Sequence, residues 1–367
     1  MSNETNHSSI NLSPAAARKQ LESGSDGRGN FSSSFMNFRF TGDASEYFGI
    51  WIVNLLLSII TLGIYSAWAK VRRETYFKNN TKVFDAGFGY HASGGQIFKG
   101  RLIALVVLVF VSVITTVQPL FSLILYPAIF FLLPWILNNS IRFSARMTSF
   151  RNIRFNWKGT YWRTLWFLVV APIFGLFSLG LLTPIISKSY YSYFARSHTY
   201  GTTSFMAKPK ASDFYIAFIL GAVLPTLLIG SATYIIFNVI SSSFMSSAIW
   251  ATIPVVIYVF IFLMTFVYSA MCRNLMVRSL KIEGILEFES KINPIKFAWI
   301  LVSNLVLSIL SLGLLVPWSK VRIYRYLSSV TMVKAIGDIE NFIDEAVLNQ
   351  SSIGEGVADL EGVEVSV

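Results

Sequence analysis

The chain of 367 residues is 54% hydrophobic and only 13% charged, about half the charge of an ordinary soluble domain (~25%), so water-facing surface could not be covered and a bilayer must take part of it. Its formal net charge of +11 does not point to nucleic acid, because the basic residues cluster beside apolar segments; they read as topogenic and lipid-headgroup contacts. The single cysteine, Cys272, excludes an internal disulfide and a Cys-rich metal site, and reads as a small packing residue near a helix end.

Residues 1–36 form a polar leader rich in Ser, Asn and Gly. It lacks an apolar stretch like the core of a cleaved signal, and it has too few large apolar groups to offset the entropy of ordering it, so a flexible, uncleaved tail is expected. Seven apolar segments follow, at about 47–69, 102–118, 121–138, 164–186, 213–238, 248–271 and 297–318. Runs of roughly 20 apolar residues cross a hydrocarbon core of ~30 Å as helices. None of the seven contains Lys, Arg or Glu, and Asp213 lies at an edge, which argues against an ion-coupled pump.

The first segment repeats in the last at an offset of 250. Asn54, Ser58, Leu62, Gly63, Trp68, Lys70, Val71, Arg72 and Tyr76 fall on Asn304, Ser308, Leu312, Gly313, Trp318, Lys320, Val321, Arg322 and Tyr326. A weaker middle copy carries Ser178-Leu179-Gly180-Leu181-Leu182 and then Tyr193, with Ile185 where the others have Trp. Repeat units at about 38–77, 153–196 and 286–326 thus alternate with two apolar hairpins, 102–138 and 213–271, and the order is unit, hairpin, unit, hairpin, unit.

Basic residues flank every repeat unit on both sides, whereas the hairpin tips near 119–120 and 239–247 carry none. Two readings stand. Seven ordinary crossings would put basic loops on both faces, against the positive-inside tendency; units that dip in and return would put every basic loop on the cytoplasmic side. Gly63, Gly180 and Gly313 mark candidate helix breaks, with Pro172 and Pro317 beside them. Irregular backbone at membrane depth requires cover by protein or water.

Short alternating stretches between segments, such as 141–145 and 153–157, have the period of half-buried strands and predict small cytoplasmic β-hairpins. The fold class expected is therefore an all-α integral membrane protein with such hairpins added: a disordered leader (1–36), a transmembrane domain (37–332) and an acidic cytoplasmic tail (333–367). That tail has no Lys or Arg beyond Ala335 and should be repelled by anionic lipid or pair with the basic loops.

Trp68, Lys70 and Arg72, with their copies Trp318, Lys320 and Arg322, fit the ordinary anchor of a membrane helix, an indole at headgroup depth followed by snorkelling cations. They also fit a vestibule for an anionic lipid or solute. Asn54 and Asn304 need hydrogen-bond partners inside apolar segments, and serve either as glue between helices or as a polar lining where repeats meet. No catalytic, cofactor or metal motif is present. His7, His91 and His198 are scattered, and no phosphate loop or nucleophile elbow occurs.

The turn Thr61-Leu62-Gly63-Ile64-Tyr65 running into Trp68-Ala69-Lys70-Val71-Arg72, the stretch Arg151-Asn152-Ile153-Arg154-Phe155 and the ending Gly354-Glu355-Gly356-Val357-Ala358-Asp359 resemble the YjgN-like family of bacterial inner-membrane proteins over about residues 36–361. The resemblance implies a multi-pass inner-membrane protein and transfers no catalytic residues. The expected function is a transport or permeation component for a small or lipid-like anionic solute, or else a membrane scaffold that recruits lipid or a protein. Anionic membrane lipids, and a homo-oligomer or an unidentified membrane protein, are the expected partners.

Overall fold

The computed structural model describes residues 35–240, 247–337 and 341–344; the leader and most of the acidic tail lie outside them. Five helical hairpins succeed one another in the chain, each entered from a short strand and left into another. The first joins α1 (Ala44–Ile60) to α2 (Ser66–Asn79), and the second joins α3 (Gly94–Val117) to α4 (Ser122–Arg146). The third joins α5 (Tyr161–Leu165), a π turn at Trp166–Val170 and α6 (Ala171–Phe177) to α7 (Thr183–Ser197). The fourth joins α8 (Ala211–Phe218), a π turn at Ile219–Val223 and α9 (Leu224–Ile240) to α10 (Ser247–Ser279), and the fifth joins α11 (Pro294–Leu310) to α12 (Val316–Ser329). The π turns precede Pro172 and Pro225. A wider turn relieves the clash of a proline ring with the carbonyl four residues back, so Pro172 marks a bulge and not a break.

All five hairpins begin in the same way. A buried strand-end residue is followed by an exposed one, a buried one and an exposed cap: Phe40 to Asp43, Tyr90 to Ser93, Trp157 to Thr160, Ala207 to Lys210 and Ser290 to Asn293. The five cap residues all have extended backbone, as an N-cap requires. The two apolar hairpins between the repeat units are therefore copies of the same topological unit, a kinship their sequences conceal.

In the three short hairpins the chain reverses at Leu62-Gly63, Leu179-Gly180 and Leu312-Gly313. Each leucine is left-handed, with φ of 50°, 52° and 52°, and each glycine has φ of 90°, 86° and 90°. Gly63, Gly180 and Gly313 N–H groups reach back to the carbonyls of Ser58, Gly175 and Ser308 at 2.7, 2.9 and 2.7 Å, the six-to-one bond that closes a helix end. The preceding hydroxyl then starts the returning helix: Thr61, Ser178 and Ser311 accept from the N–H of Tyr65, Leu182 and Leu315 at 2.9, 3.1 and 3.0 Å. At the base a tyrosine locks the pair. Tyr76, Tyr193 and Tyr326 hydroxyls accept from the N–H of Asp43, Thr160 and Asn293 at 2.8, 3.0 and 3.0 Å and donate to the same residues' carbonyls at 2.8, 3.3 and 3.3 Å.

Twelve strands among the described residues correct the all-α expectation. They are β1 (Met36–Asn37), β2 (Arg39–Phe40), β3 (Thr81–Val83), β4 (Ala86–Tyr90), β5 (Thr148–Phe150), β6 (Ile153–Trp157), β7 (His198–Tyr200), β8 (Thr203–Ser204), β9 (Met206–Ala207), β10 (Leu280–Ile282), β11 (Leu286–Ser290) and β12 (Thr331–Ala335). They form two antiparallel sheets, in the orders β1-β12-β11-β10-β9 and β2-β3-β4-β5-β6-β7-β8. Isolated hairpins of this length are marginal in water, and pairing them side by side satisfies their outer backbone groups. One expected strand is absent: residues 141–145 continue α4, whose alternating polarity comes from its strand-side end.

The two sheets meet twice through a single residue. Phe38 joins β1 to β2, and Phe205 joins β8 to β9. Met36 pairs with Val333 while Arg39 pairs with Lys82; Tyr200 pairs with Thr203 while Leu280 pairs with Ala207. The ladder thus returns to its start as a closed ring. The helices close in the same order, with α2 packed on α3, α4 on α5, α7 on α8, α10 on α11 and α12 on α1.

Four helical stretches, Gly94–Val117, Pro119–Arg146, Ala211–Ile235 and Val259–Ser279, are long and apolar enough to cross a membrane. The first helices of the short hairpins, at 17 residues for α1 and α11, extend about 25 Å, less than a ~30 Å hydrocarbon core. Their tips are almost wholly exposed leucines, 94% at Leu62, 93% at Leu179 and 95% at Leu312.

Candidate functional site: a cationic pocket and an apolar strand ring

Because the chain folds back at Gly63, the cations that follow it run alongside the apolar helix they follow in sequence. Lys70 and Arg73 of α2 line a pocket of about 280 Å³ together with Tyr47, Trp51, Asn54 and Ser58 of α1. The neighbouring hairpins supply Arg101 from α3 and Lys320 from α12. Arg101 donates to Ser66 at the start of α2. No carboxylate is among the described lining residues; Glu74, paired with Arg73 at 3.1 Å, lies next to it. Asn54 is 7% exposed, and its Oδ1 has no hydrogen-bond partner among the described residues.

The fifth hairpin shows what this arrangement looks like when satisfied. Asn304 Nδ2 donates to the Ser319 carbonyl at 3.2 Å, and its Oδ1 accepts from Arg322 at 3.0 Å. Arg322 also donates to Ser303 at 2.8 Å and sits 5.1 Å from the Trp318 ring centre. In the first hairpin the matching Arg72 lies over Tyr65 instead, at 5.8 Å. Asn54 is thereby left without the partner that its copy has.

Of the residues singled out from sequence, Lys70, Lys320 and Asn54 come together in the pocket. Trp68 does not line it. Its indole packs against Phe98 at 5.8 Å and fills the space where a Cβ at Gly94 would stand, so it wedges the first hairpin against the second. Trp318 lines a separate pocket with Ala44, Arg322 and Arg325 between the fifth hairpin and the first. Gly63, Gly180 and Gly313 serve the turns. In sequence Arg73 is only one of the basic residues that follow the first unit, because its copy is Ile323, and Arg101 lies in a different hairpin.

The strand ring encloses a second cavity, of about 180 Å³, lined entirely by apolar and aromatic side chains. Every strand position around the ring contributes, in order through Phe38, Val83, Phe88, Phe150, Phe155, Tyr200, Phe205, Ile282, Phe288 and Val333. The rings pack in tilted pairs across strands, with Phe88 to Phe150 at 4.9 Å and Phe155 to Tyr200 at 5.1 Å. Burial raises the Tyr200 phenol above its ordinary range, and its hydroxyl donates to the Phe150 carbonyl at 3.0 Å. Phe342, from the acidic tail, lies 6.0 Å from Tyr200. The only sequence signal for this lining was the period-two pattern of the connecting strands.

Spanning helices, fold-back hairpins with bare apolar tips and a strand ring on the side where the chain's cations gather define a multi-pass membrane protein. The chain belongs to the family described as bacterial protein of unknown function (DUF898), whose model matches residues 35–360. It is 31% identical to inner membrane protein YjgN of Salmonella typhimurium over 149 residues, 40% of this chain and 38% of that protein. The YjgN proteins of Escherichia coli O157:H7 and K12 are 33% and 28% identical over 144 and 250 residues, covering 37% and 58% of this chain and 36% and 62% of theirs. The matched stretches thus span less than two thirds of each relative. No solved structure matches the chain. The relatives and the apolar helices together make it a multi-pass protein of the bacterial inner membrane.

Proposed function

We propose that the chain is a permeation component for a lipid-like anionic solute. The observation that carries this reading is the closed strand ring with a wholly apolar interior. Such a lumen strips water from anything inside it, so it opposes ions and favours apolar chains. An apolar cavity of about 150 Å³ holds a benzene-sized group, and this one is comparable. The cationic pocket between hairpins one, two and five supplies the charge that would attract an acidic end. Cations crowd the strand side of the hairpins, and the positive-inside tendency makes that side cytoplasmic.

A second reading, a scaffold recruiting lipid or a partner protein, draws on the basic cluster of Arg146, Arg154 and Lys158 beside β6. Purified full-length chain in liposomes separates the two. Transfer of a fluorescent acidic lipid between leaflets or to acceptor vesicles, reduced by Phe88→Asp within the ring, supports permeation. Rates equal to protein-free liposomes refute it.

A further inference from the structure

Among the described residues, the cationic pocket beside α1 carries more positive than negative charge. Lys70, Arg73, Arg101 and Lys320 converge from three hairpins, and of these Arg73 is paired with Glu74. They share the pocket with Asn54 and Ser58 of an apolar helix, and within a bilayer Lys and Arg are costly unless they face a protein interior or a counter-charge. Cations that only anchor a helix would snorkel outward to the interface. These converge on a concave space of about 280 Å³.

Asn54 is an independent pointer to a ligand. Its amide lines the same pocket, is more than nine-tenths buried and has an orphan oxygen, whereas the copy, Asn304, has both ends of its amide occupied by the chain itself. An unpaired buried amide oxygen costs roughly 1–3 kcal/mol, and a hydroxyl donor carried by the bound molecule, such as that of a glycerol headgroup, would remove that cost. The Trp51 and Tyr47 rings beside the cations provide apolar walls next to the charged centre.

We infer that this pocket binds a phosphate-bearing anion. Phosphate oxygens accept from Lys70, Arg73, Arg101 and Lys320, and the apolar walls accommodate what the phosphate is attached to. The depth of the pocket along α1 favours the phosphodiester headgroup of an acidic phospholipid over free phosphate, because a headgroup reaches that depth with its acyl chains in lipid. The inference rests on the permeation reading by naming its solute class, yet it is testable apart from it.

The test is retention of lipid by the full chain in detergent, counted by native mass spectrometry after adding phosphatidylglycerol, phosphatidylcholine or inorganic phosphate. Phosphatidylglycerol should be retained over phosphatidylcholine, and each of Lys70→Gln, Arg101→Gln and Lys320→Gln should weaken retention by roughly tenfold, the scale of one charge-assisted contact. Lys70→Arg and Lys320→Arg, which keep the charge, should restore it, and Lys208→Gln, exposed on the strand side, should have no effect. Competition by millimolar inorganic phosphate would identify the free anion as a second source of the same chemistry and supports the site. Equal retention of both lipids that the three Gln variants leave unchanged overturns it. Retention without lipid transfer in liposomes refutes the permeation reading alone; transfer in the Gln variants with retention unchanged refutes the site alone.

Discussion

Replacing the three tip leucines with aspartate separates a hairpin that ends in lipid from one that ends in water, because the two surroundings give opposite signs. Leu62, Leu179 and Leu312 are left-handed, a conformation that costs an ordinary side chain about 1–2 kcal/mol and that Asp tolerates better than Leu. Almost none of their surface touches the protein, with exposures of 93–95%, so removing them forfeits little packing. In water Leu→Asp should therefore be neutral or stabilising by up to about 1 kcal/mol. In hydrocarbon each aspartate costs roughly 2.5–3.5 kcal/mol on insertion scales, which outweighs the relief of strain. Three tips sum to about 8 kcal/mol, comparable with the whole stability of a domain. In lipid nanodiscs a single variant should melt roughly 5–10 °C lower, and the triple variant should fail to accumulate folded in the membrane. A triple variant as stable in nanodiscs as the parent would refute the placement of the tips in lipid. So would rapid labelling of Leu62→Cys, in a Cys272→Ala background, by a membrane-impermeant maleimide.

Other perturbations test the remaining parts. Tyr76→Phe, Tyr193→Phe and Tyr326→Phe should each cost about 1 kcal/mol or more by thermal unfolding, because each strands the backbone N–H and carbonyl of a helix cap; no loss at any of the three sites would contradict the shared lock. Gly63→Ala should destabilise by roughly 1–2 kcal/mol from backbone strain alone, since φ is 90° and no atom crowds the position. Gly49→Ala, in an equally open place within α1, should stabilise by up to about 1 kcal/mol. Burial holds the Lys78 ammonium, which donates to Thr148 at 2.6 Å, down to about 8 from 10.5. The folded chain then binds fewer protons than the unfolded chain between these values, so this group's contribution to stability rises from pH 8 to 10.5. Lys78→Met should lose that increment in melting temperature. Removing residues from 341 onward takes Phe342 away from Tyr200 and should raise lipid transfer in liposomes, while an unchanged rate would show that the contact does not gate the ring.

What the amino-acid sequence determined by itself was the solvent and the punctuation. Low charge and long apolar runs required a bilayer, and Thr/Ser-Leu-Gly with a Tyr thirteen residues after the Gly marked three turns that the backbone makes with nearly the same dihedrals. Those signals are local, set by hydrophobicity and by the left-handed angles that glycine allows. The strand ring, the equivalence of all five hairpins and the convergence of Lys70, Arg101 and Lys320 were decided only in three dimensions. Strands of two to five residues show at most a period-two alternation that does not name their partners, and their pairing satisfies backbone groups whose partners lie up to hundreds of residues away. The cations looked like the end of a helix because sequence order cannot show that the chain reverses and lays them along the apolar helix it has just left.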